Sequence, residues 1–136
     1  MKHQSAPVHQ LPIRVYWEDT DGGGIVYYAN YLKFTERART EWLRGLGFDQ
    51  SKLRDEAGVL FVVREANIRY RQPARLDDEL TITVEPQSHS AHKILLRQLV
   101  RCGEVICAEL QVELVVVDAA TGKLAAIPEK IQNSLI

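Results

Sequence analysis

Thiols and imidazoles are scarce in this sequence, which holds two cysteines and four histidines among 136 residues. Cys102 and Cys107 flank Gly103 in a predicted hairpin, at a spacing that suits neither a zinc site nor a disulfide framework. We therefore expect free thiols and a reducing compartment. His89 and His92 stand in a predicted turn without a third ligand, so they give no reason to expect a bound metal.

The sequence also has no large excess of either charge and no long apolar run. Its formal net charge is -1, which is not the basic excess typical of proteins that bind nucleic acid. No apolar stretch approaches the roughly 20 residues that cross a membrane. The polar start, MKHQSAPVHQ, lacks the apolar centre of a signal peptide. These absences predict a cytoplasmic protein that neither binds nucleic acid nor inserts into a membrane.

What remains has the composition of one globular domain, with 46% hydrophobic and 26% charged residues. Residues 1–10 carry no periodic pattern, and we expect them to form a flexible tail. Residues 11–136 then form a single domain, since a chain of this length can bury roughly two thirds of its unfolded surface in one core.

One long amphipathic helix is predicted near the start of the domain. Apolar residues recur at helical spacing from Tyr31 to Leu46, while charged residues fill the other faces. Asn30 directly precedes them and is expected to be the N-cap, because its side chain can accept hydrogen bonds from first-turn amides. A short second helix is predicted over residues 49–57.

Strand patterns occupy most of the remaining chain. A short strand is predicted over residues 11–17, with Trp17 on its apolar face. Four further strands are predicted in the segments 59–70, 73–87, 93–102 and 105–117. This order predicts an α+β domain in which an antiparallel sheet of about five strands wraps around the long helix. Its edge strands are open to pairing with another chain.

The stretch YWEDTDGGGIVYYANYLKF places three acids, Glu18, Asp19 and Asp21, directly before three glycines. One interpretation is structural, since such acids often cap a helix or form salt bridges. A second is a magnesium or calcium site, although no further carboxylates follow at the spacing of a calcium loop.

A third interpretation is a reaction centre. The glycines at 22–24 allow close approach of a ligand, and the start of the following helix offers unpaired amides. A carbonyl group held between those amides and Asp21 could be attacked by the carboxylate, or by a water molecule that the carboxylate activates. The pattern alone leaves all three interpretations open.

A family resemblance is carried by two segments, VYWEDTDGGGIVYYANYLKFTERARTEWLR and FVVREANIRYRQPARLDDELTI. They resemble the YbgC-like acyl-CoA thioesterases, in the 4-hydroxybenzoyl-CoA thioesterase branch of the hotdog-fold superfamily, and the resemblance extends over about residues 11–117. It implies a hotdog fold that hydrolyses acyl-CoA to a carboxylic acid and CoA without a metal or other cofactor. It also implies a homodimer or homotetramer with the active site between subunits. Acyl carrier protein is a further candidate partner.

The resemblance also implies roles for individual residues. Asp21 corresponds to the catalytic aspartate, as nucleophile or general base, and Asp19 to a supporting residue. The backbone amide of Tyr28 corresponds to the catalytic oxyanion contact. The residues expected around the substrate are Gly24, Ile25, Val26, Asn30, Tyr31 and Arg71. Arg71 is one of several basic residues that could meet the phosphates of coenzyme A or could lie on solvated strand faces.

Position 28 departs from the family pattern, in which many members carry histidine within a VYH triplet. A phenol can donate a hydrogen bond but does not act as a base at neutral pH, so the chemistry falls to Asp21.

Two other functions stay open: a non-catalytic module that binds an acyl group on coenzyme A or acyl carrier protein, and a hotdog hydratase or dehydratase. Proton transfer in hotdog hydratases and dehydratases resembles that of an acid paired with a histidine, and no histidine lies near Asp21 in the sequence.

Overall fold

Five antiparallel strands form one sheet in the computed structural model, which describes residues 8–135. The strands are β1 (His9–Arg14), β2 (Val59–Tyr70), β3 (Glu79–His89), β4 (Lys93–Cys102) and β5 (Val105–Asp118). They lie side by side in the order β1-β3-β4-β5-β2, so that β1 and β2 are the edges.

The pattern of buried residues follows from the alternation of side chains along each strand. In β5, Leu110 and Val112 are buried on the inner face, whereas Gln111 between them is exposed. A tight turn joins β4 to β5, and Gly103 in this turn has a φ of 61°, which glycine adopts without strain. The hairpin predicted around Gly103 is confirmed.

One long helix, α1 (Asn30–Gly45), lies against the sheet and contacts β1, β3 and β4. Its buried stripe repeats at helical spacing through Tyr31, Phe34, Ala38 and Trp42, each at most 5% exposed. The fully buried strand residues in the same core include Leu80, Ile82, Leu96 and Leu110. The predicted α+β class, with five strands and one central helix, is confirmed.

A buried polar link aligns the helix with the sheet. Gln98 of β4 is 0% exposed, and its Nε2 donates to the carbonyl oxygens of Thr35 at 3.0 Å and Thr83 at 3.2 Å. Its Oε1 accepts a hydrogen bond at 3.0 Å from Arg39, whose pKa is lowered by burial. Because a buried amide without partners costs free energy, these contacts favour one alignment of α1 over the strands.

The first strand begins and ends earlier than the sequence predicts. His9 and Gln10 pair with β3, so the tail expected over residues 1–10 is wrong for its last two residues. Their backbone groups hydrogen-bond to β3. Such pairing does not depend on the side chains, so the lack of a periodic pattern in residues 1–10 gives no sign of it. Of the other expected tail residues, Val8 precedes the strand and is exposed, and residues 1–7 lie outside the described part of the chain.

Trp17 does not lie on the apolar face of a strand. Beyond β1, Trp17–Asp19 form a 3₁₀ turn in which the Trp17 side chain is 66% exposed. The Asp19 carboxylate accepts a hydrogen bond from the amide of Tyr16 at 2.9 Å, and this contact bends the chain away from the extended form.

The expected N-cap of α1 is also wrong. Ala29 occupies that position, and Asn30 is the first helical residue. The Asn30 side chain donates to the carbonyl oxygen of Asp19 at 2.8 Å. Asn30 therefore ties the preceding loop to the helix instead of satisfying the first-turn amides.

Two shorter helical regions complete the fold. The predicted second helix is present as α2 (Gln50–Lys52), which continues into a π-helical turn (Leu53–Ala57). A third helix, α3 (Glu129–Ser134), has no counterpart in the sequence prediction, and its Ile131 is fully buried. Within residues 8–135, no helix is both long and apolar enough to cross a membrane.

Replacing Ile131 by alanine tests whether α3 belongs to the core. Because Ile131 is 0% exposed, removing its buried atoms is expected to lower the free energy of unfolding by about 2–5 kcal/mol. The matched control is Lys130→Ala, exposed on the same helix, with an expected change within about 0.5 kcal/mol. Urea unfolding followed by circular dichroism measures both variants. Equal stability of the two would contradict the packing of α3.

Candidate active site

A tight loop separates β1 from α1. Thr20 pairs with Val26, and inside that pair the amide of Asp21 donates to the carbonyl oxygen of Ile25 at 3.1 Å. The three glycines therefore form the tip of the loop. Gly24 has a φ of 94°, a left-handed conformation that would strain any other common residue.

Asp21 stands at the start of this glycine tip, and its side chain is exposed. Its Oδ1 accepts a hydrogen bond from the amide of Gly23 at 2.7 Å. A side chain at position 23 would bring its Cβ within 3.1 Å of that same oxygen. No basic side chain among residues 8–135 forms an ion pair with Asp21. The loop thus orients the carboxylate through one oxygen and leaves the other available.

Asp19, only two residues earlier, is 5% exposed and fully engaged. Its Oδ2 accepts from the amide of Tyr16 at 2.9 Å, and its Oδ1 pairs with Lys33 Nζ at 3.0 Å. Its carbonyl oxygen accepts from the amide of Tyr27 at 3.0 Å and from the side chain of Asn30. The structural interpretation of the acidic cluster therefore holds for Asp19, which joins the 3₁₀ turn to the start of α1.

The start of α1 offers free backbone donors. The amide of Asn30 bonds to the carbonyl oxygen of Tyr27 at 2.9 Å, but the amides of Tyr28 and Ala29 have no acceptor within residues 8–135. Both lie at the positive end of the helix dipole, where amides bind anionic oxygen atoms well. This geometry suits stabilisation of a negative charge that develops on a carbonyl oxygen.

A cavity of about 230 Å³ opens beside these amides. Its walls include five residues that the sequence analysis assigned to the site: Ile25, Val26, Tyr28, Tyr31 and Arg71. The other three wall residues, Tyr70, Gln72 and Pro73, were missed. Of the remaining assigned residues, Asp21 and Gly24 are in the adjoining loop and Asn30 bonds to Asp19, so none of them is part of the wall.

Tyrosine rings form one side of the cavity. The ring of Tyr70 meets Tyr31 edge-on, with 5.4 Å between centroids, and meets Tyr28 at 6.2 Å. The Tyr31 hydroxyl accepts a hydrogen bond from the amide of Ala74 at 3.0 Å. Burial raises the pKa of both Tyr31 and Tyr70, so both hydroxyls keep their protons at neutral pH.

The two arginines near the cavity, Arg71 and Arg75, differ in whether their side chains already form ion pairs. Arg71 Nη2 lies 2.7 Å from Glu109 Oε1, and hydrogen bonds from Arg71 and Arg97 lower the pKa of that carboxyl group. Arg75 lies beside the glycine loop, where its backbone pairs with Ile25. Its exposed side chain has no ion-pair partner within the described residues. Arg75 is therefore the freer of the two to meet an anionic group.

A metal interpretation of the acids finds no support in the arrangement of side chains. Across residues 8–135, no three His, Cys, Asp or Glu side chains come together in a way that could hold a metal ion. The thiols of Cys102 and Cys107 are unpaired, and burial raises the pKa of each. Thiols of that kind are poor nucleophiles.

The fold and the sequence are both similar to those of known proteins. A family model described as the Thioesterase-like superfamily matches residues 15–135. The chain is 40% identical over 122 residues to the acyl-CoA thioesterase YbgC of Haemophilus influenzae, with 90% of each chain covered. It is 45% identical over 121 residues to the acyl-CoA thioester hydrolase YbgC of Escherichia coli O157:H7, covering 88% of this chain and 90% of the relative.

A similar solved structure is that of a probable thioesterase from Bartonella henselae, with a TM-score of 0.84 and 34% identity over 90% of this chain and 100% of that one. The sheet and its central helix are thus a hotdog fold, and the chain belongs to the thioesterase-like superfamily. Within it, the chain belongs to the YbgC family, because the two YbgC relatives named above match over 90% of their own length. The family resemblance seen in the sequence is confirmed.

Replacing Asp19 by asparagine tests its role as the anchor of the loop. Asparagine keeps the shape but removes the charge that pairs with Lys33, and we expect the free energy of unfolding to fall by about 1–3 kcal/mol. The matched control is Glu18→Gln, an exposed acid in the same turn, with an expected change within about 0.5 kcal/mol. Thermal and urea unfolding measure both. If the two variants were equally stable, Asp19 would not be the anchor.

Proposed function

We propose that this chain hydrolyses acyl-CoA thioesters, with Asp21 as nucleophile or general base and the amide of Tyr28 as the oxyanion donor. One observation carries the proposal: a free amide at the tip of α1 lies beside a cavity that adjoins the loop bearing an exposed carboxylate. The names of the YbgC relatives, an acyl-CoA thioesterase and an acyl-CoA thioester hydrolase, point to the same chemistry.

The reaction follows from what each group can do. The Asp21 carboxylate either attacks the thioester carbonyl carbon or removes a proton from a water molecule that attacks it. Negative charge then develops on the carbonyl oxygen, where one preorganised amide donor contributes about 3–4 kcal/mol. The C–S bond breaks, and the sulfur leaves as the thiol of CoA, taking its proton from protonated Asp21 in the general-base route and from water in the nucleophilic route. If an anhydride with Asp21 has formed, water hydrolyses it, and in either case the acyl group leaves as the carboxylic acid.

The cavity provides the place for the acyl group. Its walls combine apolar side chains with tyrosine rings, which suits the part of the substrate next to the thioester. The guanidinium of Arg75 is free to meet a phosphate of coenzyme A at the edge of the site. The same arrangement would accept an acyl group carried by acyl carrier protein, which remains a second candidate partner.

The active enzyme is proposed to be a homodimer or homotetramer. Strand β2 is a 12-residue edge of the sheet, and on it Val62 and Val63 are 40% and 48% exposed. An exposed edge of this length and apolar character is a template for pairing with a second copy. A second copy on this edge would also lie close to the site, since Tyr70 is the last residue of β2 and lines the cavity. The free thiols fit a cytoplasmic location.

Replacing Asp21 by asparagine tests the catalytic assignment. Loss of the nucleophile or base is expected to lower kcat by about 10²- to 10⁴-fold, measured as thiol release from a panel of acyl-CoAs. The control, Glu18→Gln, is expected to keep wild-type activity because that acid lies outside the site. Unchanged turnover in Asp21→Asn would remove Asp21 from the mechanism. Wild-type protein that binds acyl-CoA in calorimetry but releases no thiol would favour the non-catalytic module.

The edge strand offers a test of the assembly. The substitution Val63→Asp places a charge on the exposed β2 edge, and we expect sedimentation to give the mass of one chain in place of two or four. Val105→Asp is the matched control, since Val105 is 43% exposed on a different strand. It should leave the assembly intact. A wild-type protein that sediments as one chain would contradict the proposed oligomer.

A further inference from the structure

One hydrogen bond links the sheet to the residue that carries the oxyanion donor. The hydroxyl of Tyr70 donates to the carbonyl oxygen of Tyr28 at 3.1 Å, between residues 42 positions apart in the sequence. That carbonyl belongs to the peptide group between Tyr28 and Ala29. Because a peptide group is planar, holding its carbonyl oxygen fixes the direction of the Ala29 amide, and it limits rotation about the Cα–C bond of Tyr28.

Tyr70 stands on a rigid support. It is the last residue of β2, where its backbone pairs with Ala108 of β5. The next two amides, of Arg71 and Gln72, both donate to the carbonyl oxygen of Cys107, at 2.8 and 3.2 Å. The strand end is therefore fixed on both sides of Tyr70, so its hydroxyl is held in place relative to the sheet.

The ring of Tyr70 is also constrained. It packs edge-on against the rings of Tyr28 and Tyr31, at interplanar angles of 83° and 68°. On the other side of Tyr28, the amide of Tyr27 donates to the carbonyl oxygen of Asp19 at 3.0 Å. Tyr28 thus lies between two anchors, one from the buried aspartate and one from the end of β2.

We propose that Tyr70 is a positioning residue, whose hydroxyl holds the Tyr28–Ala29 peptide and thereby keeps the backbone of Tyr28, with its free amide, in the position that faces the carbonyl oxygen of the substrate. This inference rests on the proposed hydrolase function and adds a residue to it. Tyr70 acts through Tyr28 and not on the reacting atoms. Its hydroxyl therefore supports turnover for every acyl-CoA that the enzyme hydrolyses, and it contributes little to substrate binding.

The test is Tyr70→Phe, which keeps the ring and removes only the hydroxyl. We expect kcat to fall about tenfold, the size of one lost neutral hydrogen bond, while KM stays within about twofold. The loss should be equal for a short aliphatic and an aromatic acyl-CoA. The matched control is Tyr27→Phe, whose ring lies 5.0 Å from Tyr28 but whose hydroxyl has no hydrogen-bond partner within residues 8–135. It is expected to keep wild-type kcat and KM.

A second measurement does not depend on activity. In the Tyr70→Phe protein, nuclear magnetic resonance should find a changed carbonyl ¹³C shift for Tyr28 and lower ¹⁵N order parameters at Tyr28 and Ala29. Unchanged shifts and order parameters would overturn the positioning role. This measurement decides the role of the Tyr70 hydroxyl even if the wild-type protein proves inactive, a result that would count against the proposed function alone.

The kinetic results also distinguish a failure of the positioning role from a failure of the proposed function. If Asp21→Asn loses activity while Tyr70→Phe keeps wild-type kcat, the proposed function stands and the inference fails. If the loss in Tyr70→Phe lies in KM, or differs between the two acyl groups, Tyr70 contacts the substrate directly and the positioning role is again wrong.

Discussion

The buried carboxylate of Asp19 and its contacts hold together the parts of the molecule from which the site is built. Its side chain joins the amide of Tyr16 to the ammonium group of Lys33 on α1, and its carbonyl oxygen holds Tyr27 and Asn30. A carboxylate that is 5% exposed is stable only with such partners. The turn after β1 and the first turn of α1 therefore keep one relative position, and the glycine loop between them inherits it.

Two aspartates separated by one residue consequently have opposite environments. Asp19 faces inward and is fully engaged, whereas Asp21 lies on the glycine tip with one oxygen bonded to Gly23. The first supplies rigidity and the second remains available for chemistry. Tyr70 adds an anchor from the sheet to the same region, so the backbone of Tyr28 is constrained from two directions. Such preorganisation is what a donor to a developing negative charge requires.

Much of the fold could be predicted from the sequence because buried apolar residues recur at a regular spacing along helices and strands. The helical spacing from Tyr31 to Trp42 and the alternation in β5 report directly which side chains face the core. The short α3 has too few residues to show a period, although Ile127, Ile131 and Leu135 lie four apart and are all buried. Periodic signals of this kind locate elements but not the contacts between them.

The details of the site depend on contacts between distant segments, and these leave no local pattern. Trp17 continues an alternating strand pattern, yet the bond from Tyr16 to Asp19 turns the chain and exposes the ring. Asn30 has the chemistry of an N-cap, but it bonds across the loop. The sequence predicts Tyr70 only as the last residue of a strand, because its hydrogen bond to Tyr28 depends on the three-dimensional fold.

In the proposed mechanism, the substrate carbonyl lies between the Asp21 carboxylate and the amide of Tyr28. The most direct measurement is a crystal structure of the assembled protein with an acyl-CoA analogue in which a methylene group replaces the thioester sulfur. We expect the analogue's carbonyl oxygen at about 2.7–3.1 Å from the Tyr28 nitrogen, with the Asp21 carboxylate facing the carbonyl carbon directly or through one water molecule. A carbonyl bound away from the tip of α1, or an Asp21 side chain turned away from it, would rule out this mechanism.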